Sequence, residues 1–222
     1  MTLQPRIALV VGLKAEAKAA ATPLVFVGGG SAARVEQLLA EAGPLHAVLS
    51  FGIAGGLAEH LAPGDIVLAE AIVTETESYP ANPLWLARLA ARIPQARRGK
   101  IVGVDAPVGS PEAKLFLHKK HGAAAVDMES HGAARFAARK NLPFVALRAI
   151  ADPHHRALPA AALVGMKPDG SPDIAAVLAA LARQPRQLPG LIRTALDARA
   201  GMEGLFRSRR LLGGSFGFDD FA

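Results

Sequence analysis

An α/β fold, a three-layer sandwich around a central, mostly parallel or mixed sheet, is predicted by two features of this sequence. Short runs rich in Val, Ile and Leu alternate with segments of helical pattern, and the runs are apolar nearly throughout, as in strands covered on both faces. The strand-like runs are residues 6–12, 24–27, 47–51, 65–73, 100–104, 124–128 and 144–150. Helical candidates lie between them at 32–42, 83–91, 111–120 and 129–140. Ser110-Pro111-Glu112 is a good helix start: a capping hydroxyl, a proline in the first turn and an acid near the positive end of the helix dipole. From His154 to Gly170 the pattern is irregular, and Ser171-Pro172 opens another helix. Residues 188–212 read as one long helix with Leu188, Leu191, Ile192, Ala195, Leu196, Met202, Leu205 and Phe206 on one face, expected to pack on the core.

The 222 residues suit one domain over 1–212, followed by a Gly-rich flexible tail over 213–222. Hydrophobic residues make up 51% and charged residues 20%, which excludes a disordered chain. No apolar run approaches the roughly 20 residues that span a bilayer. The run at 7–13 behind Arg6 is short for a secretion leader, and Lys14 and Lys18 crowd the cleavage region, so it reads as a buried strand. The absence of cysteine excludes disulfides and thiolate chemistry and fits a cytoplasmic setting. A formal charge of +6 admits anionic partners, but one Trp, one Tyr and no alternation of basic with aromatic residues argue against nucleic acid.

Four motifs stand at the ends of strand-like runs. Gly28-Gly29-Gly30-Ser31-Ala32-Ala33 fits the dinucleotide pattern G-x-G-x-x-A, yet the next run ends in Leu49-Ser50-Phe51 without the acid that would hold a ribose. An NAD-binding oxidoreductase is therefore the weaker reading, and no cofactor is expected. Phe51-Gly52-Ile53-Ala54-Gly55-Gly56-Leu57 reads as a glycine-rich turn that lets backbone approach a ligand. Val126-Asp127-Met128-Glu129-Ser130 puts two carboxylates at a strand-to-helix junction, one of them assigned to capping the helix. Arg148-Ala149-Ile150-Ala151-Asp152-Pro153 sets Asp152 just past another strand. His118 with His121, and His154 with His155, lack further ligands at metal-site spacing, so no metal is expected. No G-x-S-x-G elbow supports a serine hydrolase.

Taken in order, the Gly52-to-Leu57 stretch with Gly64-Asp65-Ile66-Val67, then Val126-Asp127-Met128-Glu129, then Arg148-Ala149-Ile150-Ala151-Asp152 resemble the nucleoside phosphorylase and nucleosidase superfamily. That superfamily includes methylthioadenosine/S-adenosylhomocysteine nucleosidase. His155, Leu158-Pro159-Ala160-Ala161 and Gln187-Leu188-Pro189 look like its hopanoid-associated branch, linked to removal of adenine from adenosylhopane. The resemblance implies cleavage of the N-glycosidic bond of a purine nucleoside. Asp152 would be the general acid at N7 of the departing base, and Glu129 would accept from ribose hydroxyls beneath a cation-like sugar. Met128 would wall the ribose. Gly52, Ile53, Ala54, Gly55, Val126 and Asp127 would complete the substrate pocket, with Glu16, in the loop after the first strand, activating water.

There are departures from the superfamily's pattern. Ser50 replaces an arginine common in the phosphorylases and Ile53 replaces a hydroxyl residue, both losses for a phosphate site. Gly30, Ser31 and Arg34 are the candidate substitutes. Ala106-Pro107-Val108 stands where the family has an aromatic platform. Of the two acceptors, water or phosphate, water is slightly favoured, because Glu16 gives water a base. The resemblance also implies a homo-oligomer, with 83–91 apolar enough to join a subunit contact. A nucleoside-headed lipid would bring peripheral contact with the inner membrane surface through Arg193, Arg199, Arg207, Arg209 and Arg210. A non-catalytic nucleoside-binding module is the remaining alternative.

Overall fold

The computed structural model describes residues 5–22 and 24–218. Its elements are β1 (Ile7–Val11), α1 (Lys14–Ala20), β2 (Val25–Val27), α2 (Ala32–Glu41), β3 (Ala47–Gly56), β4 (Ile66–Val73), β5 (Ser78–Pro80), α3 (Pro83–Arg92), β6 (Arg97–Gly103), α4 (Pro111–His121), β7 (Ala123–Asp127), α5 (Ser130–Arg139), β8 (Phe144–Asp152), α6 (Ala160–Leu163), α7 (Ile174–Arg183) and α8 (Leu188–Leu212). Strand order is β2-β1-β3-β7-β6-β4-β5, with β8 paired to both β3 and β4. The strands β3, β7, β6, β4 and β8 therefore close into a ring, and β2 and β1 extend from it. The sheet is mixed: β3–β7, β4–β5 and β4–β8 are antiparallel, and the other pairs are parallel.

Strand alternation explains the layers. Ile7, Leu9 and Val11 of β1 point into a core shared with Trp85 of α3, Leu205 of α8 and Ala19 and Ala20 of α1. Ala8 and Val10 point the other way, onto Val35 and Leu39 of α2 and Ala133 and Ala137 of α5. Both faces are covered, which is why the sequence shows apolar runs without polar alternation. Helix starts follow local chemistry: Ser31, Asn82 and Ser110 accept from backbone N–H groups of α2, α3 and α4, and Pro83 and Pro111 occupy first turns.

Several expectations are corrected. The stretch from Gly52 to Gly56 is the second half of β3 and not a turn. The short helix α1 and the three-residue β5 carry too little pattern to be read from sequence. The helix after Ser171-Pro172 begins at Ile174, capped by Asp173. The apolar positions of α8 lie on one side of the helix, but that side is not packed on the core as expected. Leu205 is buried with Gly201, Gly204, Ser208 and Leu212, whereas Leu188, Ile192, Leu196 and Phe206 are exposed. Arg207 and Arg209 reach back to the Gly64 and Ala20 carbonyls. Helix α3 buries Trp85, Leu86 and Leu89 and exposes Leu84, which leaves the expected subunit contact through 83–91 open.

The expected flexible tail is packed over residues 216–218, while Gly213 and Gly214 are exposed. Phe216 is 1% exposed and stacks edge-on against Phe51 at 5.7 Å, its carbonyl accepts from Trp85 Nε1 at 2.8 Å, and Phe218 packs on the Trp85 ring. The reading missed this because two aromatics among glycines give no periodicity. Residues 219–222 lie outside the described residues. Phe216→Ala is expected to cost about 3 kcal/mol, as large core truncations do, and Phe206→Ala, on the exposed side of α8, less than about 1 kcal/mol. Urea unfolding of both variants checks this, and equal losses would return residues 213–218 to the status of a loose tail.

Candidate active site

The site forms where the sheet splays. Along one edge β3 pairs with β8 from Val48 to Gly55. Along the other it pairs with β1 through Ser50 and with β7 only from Gly55. A bulge between Ala54 and Gly55 marks the change of partner. Residues 51–54 thus face a gap on that edge, and a cleft of about 270 Å³ opens there. This is near the lower end of the roughly 300–1,000 Å³ usual for small-molecule sites.

Glu16 fills the gap from α1. Its Oε1 accepts from the Ile53 amide at 2.7 Å, and its Oε2 accepts from the Gly12 and Leu13 amides at 2.7 and 2.8 Å. A Cβ at Gly52 would stand 2.8 Å from the Glu16 carboxylate, so this glycine makes room for Glu16 and does not itself line the cleft. Burial pushes the Glu16 carboxyl above its ordinary range, against the opposing effect of the three amides.

Glu129, at the start of α5, is also buried, and its Oε1 accepts from the Gly30 amide at 2.8 Å. Cβ atoms at Gly12 and Gly28 would come within 2.5 and 2.9 Å of its side chain, so two glycines shape its seat. Burial, then the neighbouring Asp127 and Glu16 carboxylates, raise its pKa to about 7. Asp152 ends β8 beside Gly55, and its Oδ2 accepts from Lys114 Nζ of α4. Burial raises the Asp152 carboxyl while the Lys114 ammonium opposes the rise, and burial prevails. Ile53, Ala54, Gly55, Val126 and Met128 line the same cleft, with Val104, Pro107 and Val108 on one wall. Leu158, Ala162, Leu163 and Met166, from the segment that reads as irregular, supply another, which no periodicity announces.

Two groups of expected site residues are employed elsewhere. Asp127 borders the cleft, but its carboxylate accepts from Arg148 Nε and from the Ser130 hydroxyl and amide, so it carries the helix-capping duty and a buried ion pair. Arg148 also donates to the Ser50 hydroxyl at 2.7 Å and the Ser130 hydroxyl at 2.9 Å. A charged residue inside an apolar strand was the sequence signal for this network, since a buried guanidinium requires such partners. The phosphate candidates do not form a cradle. The Gly30 amide is taken by Glu129, the Ser31 hydroxyl caps α2 by accepting from the Arg34 amide at 3.2 Å, and Arg34 Nε donates to the Val27 carbonyl at 3.3 Å. The Gly28 and Gly29 amides donate to the Val11 and Gly12 carbonyls, which also removes the donors a dinucleotide pyrophosphate would need. Among the described residues lining the cleft, none is Lys or Arg.

The Glu129 proton links this site to stability. The folded chain holds it up to about pH 7, whereas an unfolded chain loses it near 4.5. Stability therefore falls as pH rises through that interval and stays lower above it. Glu129→Gln cannot ionise, so at pH 8 it should be more stable than the wild type by up to about 3 kcal/mol, and at pH 4 equal to it. Denaturant midpoints at the two pH values test this; no gap at pH 8 would contradict the account of Glu129.

The model of the Phosphorylase superfamily matches residues 6–184. A futalosine hydrolase from Streptomyces coelicolor is 31% identical over 129 residues, a match covering 50% of this chain and only 55%, about half, of that relative. The native structure of futalosine hydrolase from Helicobacter pylori superposes with a TM-score of 0.67 at 16% identity, covering 95% of this chain and 97% of that one. The 5'-methylthioadenosine/S-adenosylhomocysteine nucleosidase from Helicobacter pylori with butyl-thio-DADMe-Immucillin-A gives 0.64 at 17% identity, covering 94% and 96%. These two structures support the fold, and the family match over most of the chain settles its kinship: the chain belongs to the phosphorylase superfamily.

Proposed function

We propose that the chain hydrolyses the N-glycosidic bond of a purine nucleoside and releases the base. The observation that carries this reading is the set of three carboxylates, buried Glu16 and Glu129 and partly buried Asp152, around one cleft whose described lining includes no Lys or Arg. Such a cleft favours a sugar that becomes cation-like as its bond to the base breaks, and disfavours an anionic acceptor such as phosphate. Asp152, protonated more readily than an exposed carboxyl, delivers its proton to N7 as the bonding pair moves onto the base. Ionised Glu129 accepts from the ribose hydroxyls over the Met128 wall. Water adds to the sugar carbon and loses its proton to Glu16; Glu16 then releases a proton to solvent and solvent returns one to Asp152, so both carboxyls regain their starting forms.

A nucleoside with a bulky apolar 5′ substituent fits a second observation. The cleft wall at Leu163 is 41% exposed, Val164 beside it is 47% exposed, and Ile174, Leu178, Ile192 and Leu196 extend exposed apolar surface over α7 and the first half of α8. Adenine as the released base and a nucleoside-headed lipid such as adenosylhopane, met at a membrane surface, belong to this reading, as does a symmetric assembly of subunits. Among the described residues no helix is long and apolar enough to cross a membrane, so that contact would be peripheral.

The test is release of free base from adenosine and from adenosine carrying a long apolar 5′ group. The expected results are a higher kcat/KM for the second, and a loss of roughly 100-fold or more in Asp152→Asn, as for removal of a general acid. With ionised Glu129 required, kcat/KM should rise with pH through about 7. Binding without turnover of any purine nucleoside would replace the enzyme with a nucleoside-binding module.

A further inference from the structure

Lys114 is a buried cation that the proposed reaction leaves unused. It lies in the first turn of α4, fully buried, where an unpaired ammonium is severely disfavoured. Its three N–H groups have three acceptors: Asp152 Oδ2, the Pro153 carbonyl at 3.0 Å and the Arg156 carbonyl at 3.1 Å. No N–H remains for a ligand, and Lys114 is absent from the cleft lining. The charged groups around Asp152 are Lys114 from α4, Arg156 from the turn after β8, and Asp197 from α8, which pairs with Arg156 at 3.0 Å. One lysine thus fastens the end of β8, the following turn and, through Arg156, the helix behind it.

Resting on the reading of Asp152 as the acid, we propose that Lys114 is the positioning residue for that acid. It fixes one carboxyl oxygen of Asp152 and leaves the other for the base. It also stabilises the carboxylate that remains once the proton has gone to N7. The proton transferred is that of Asp152, and the electron pair of the broken C–N bond leaves with the base.

A purine nucleoside methylated at N7 separates this role from a structural one, because its base departs as a neutral molecule without a proton from the enzyme. Lys114→Met is expected to lose roughly 10-fold or more in kcat on the ordinary nucleoside, a part of the ~10²–10⁴ that a general acid supplies. On the N7-methylated nucleoside it should stay within about 3-fold of the wild type, the same selective pattern as Asp152→Asn, since neither change touches a step that substrate needs. If Lys114→Met is insoluble, Lys114→Gln, polar but uncharged, carries the same comparison. Equal losses on both nucleosides, or no loss on either, would overturn the inference while leaving the proposed function standing. A wild-type protein inert toward both would remove the proposed function and the inference with it.

Discussion

The site depends on one carboxylate held where two strands part. β3 can leave β1 and join β7 only if the amides at the parting find other acceptors, and Glu16 provides them to Ile53 on β3 and to Gly12 and Leu13 after β1 together. A buried N–H left without a partner costs about 1–3 kcal/mol, so Glu16 is a structural joint as well as a cleft residue. Replacing it by Gln would turn an amide NH₂ toward backbone N–H groups. Loss of activity in such a variant would therefore not distinguish chemistry from architecture, whereas Asp152 and Glu129 stand at places where polar isosteres leave the sheet intact.

Charge is distributed so that cations serve the acids and do not meet the ligand. Arg148 neutralises Asp127, and Lys114 accompanies Asp152, both from behind the cleft. Glu16 and Glu129 are held by backbone amides alone among their hydrogen bonds, and burial raises both. Glu129, raised to about 7, is thus poised between its protonated and ionised forms near neutral pH, beside Glu16 and Asp152, whose carboxyls burial also raises. That suits a reaction that must donate a proton at one end and tolerate positive charge at the other.

Much of this was legible in the sequence where a residue's role is local. The bounds of α8, the cap at Ser110, and the strands of near-continuous apolar pattern follow from periodicity and capping chemistry. Glu16, Glu129 and Asp152 were singled out by a resemblance, and the fold brings all three to one cleft. What stayed hidden is set by distant parts of the chain. The closure of β8 onto both β3 and β4 makes a ring that no strand declares by itself. Lys114 looks like any surface lysine of a helix with basic neighbours, because its partner is 38 positions away. The glycines at 28–30 read as a phosphate loop because a sequence does not reveal that Glu129 already occupies the Gly30 amide. Leu188, Ile192 and Leu196 follow a core-facing rhythm, yet the helix carrying them extends past the edge of the core.

The proposed reaction uses water in place of phosphate. The direct measurement is to follow turnover of a purine nucleoside in millimolar phosphate by phosphorus NMR while assaying free base and reducing sugar. Base and free sugar should appear in equal amounts, with the phosphate signal unchanged and the rate independent of phosphate concentration. A sugar 1-phosphate growing in step with the base would contradict the account, because an anion would then be entering a site built from three carboxylates.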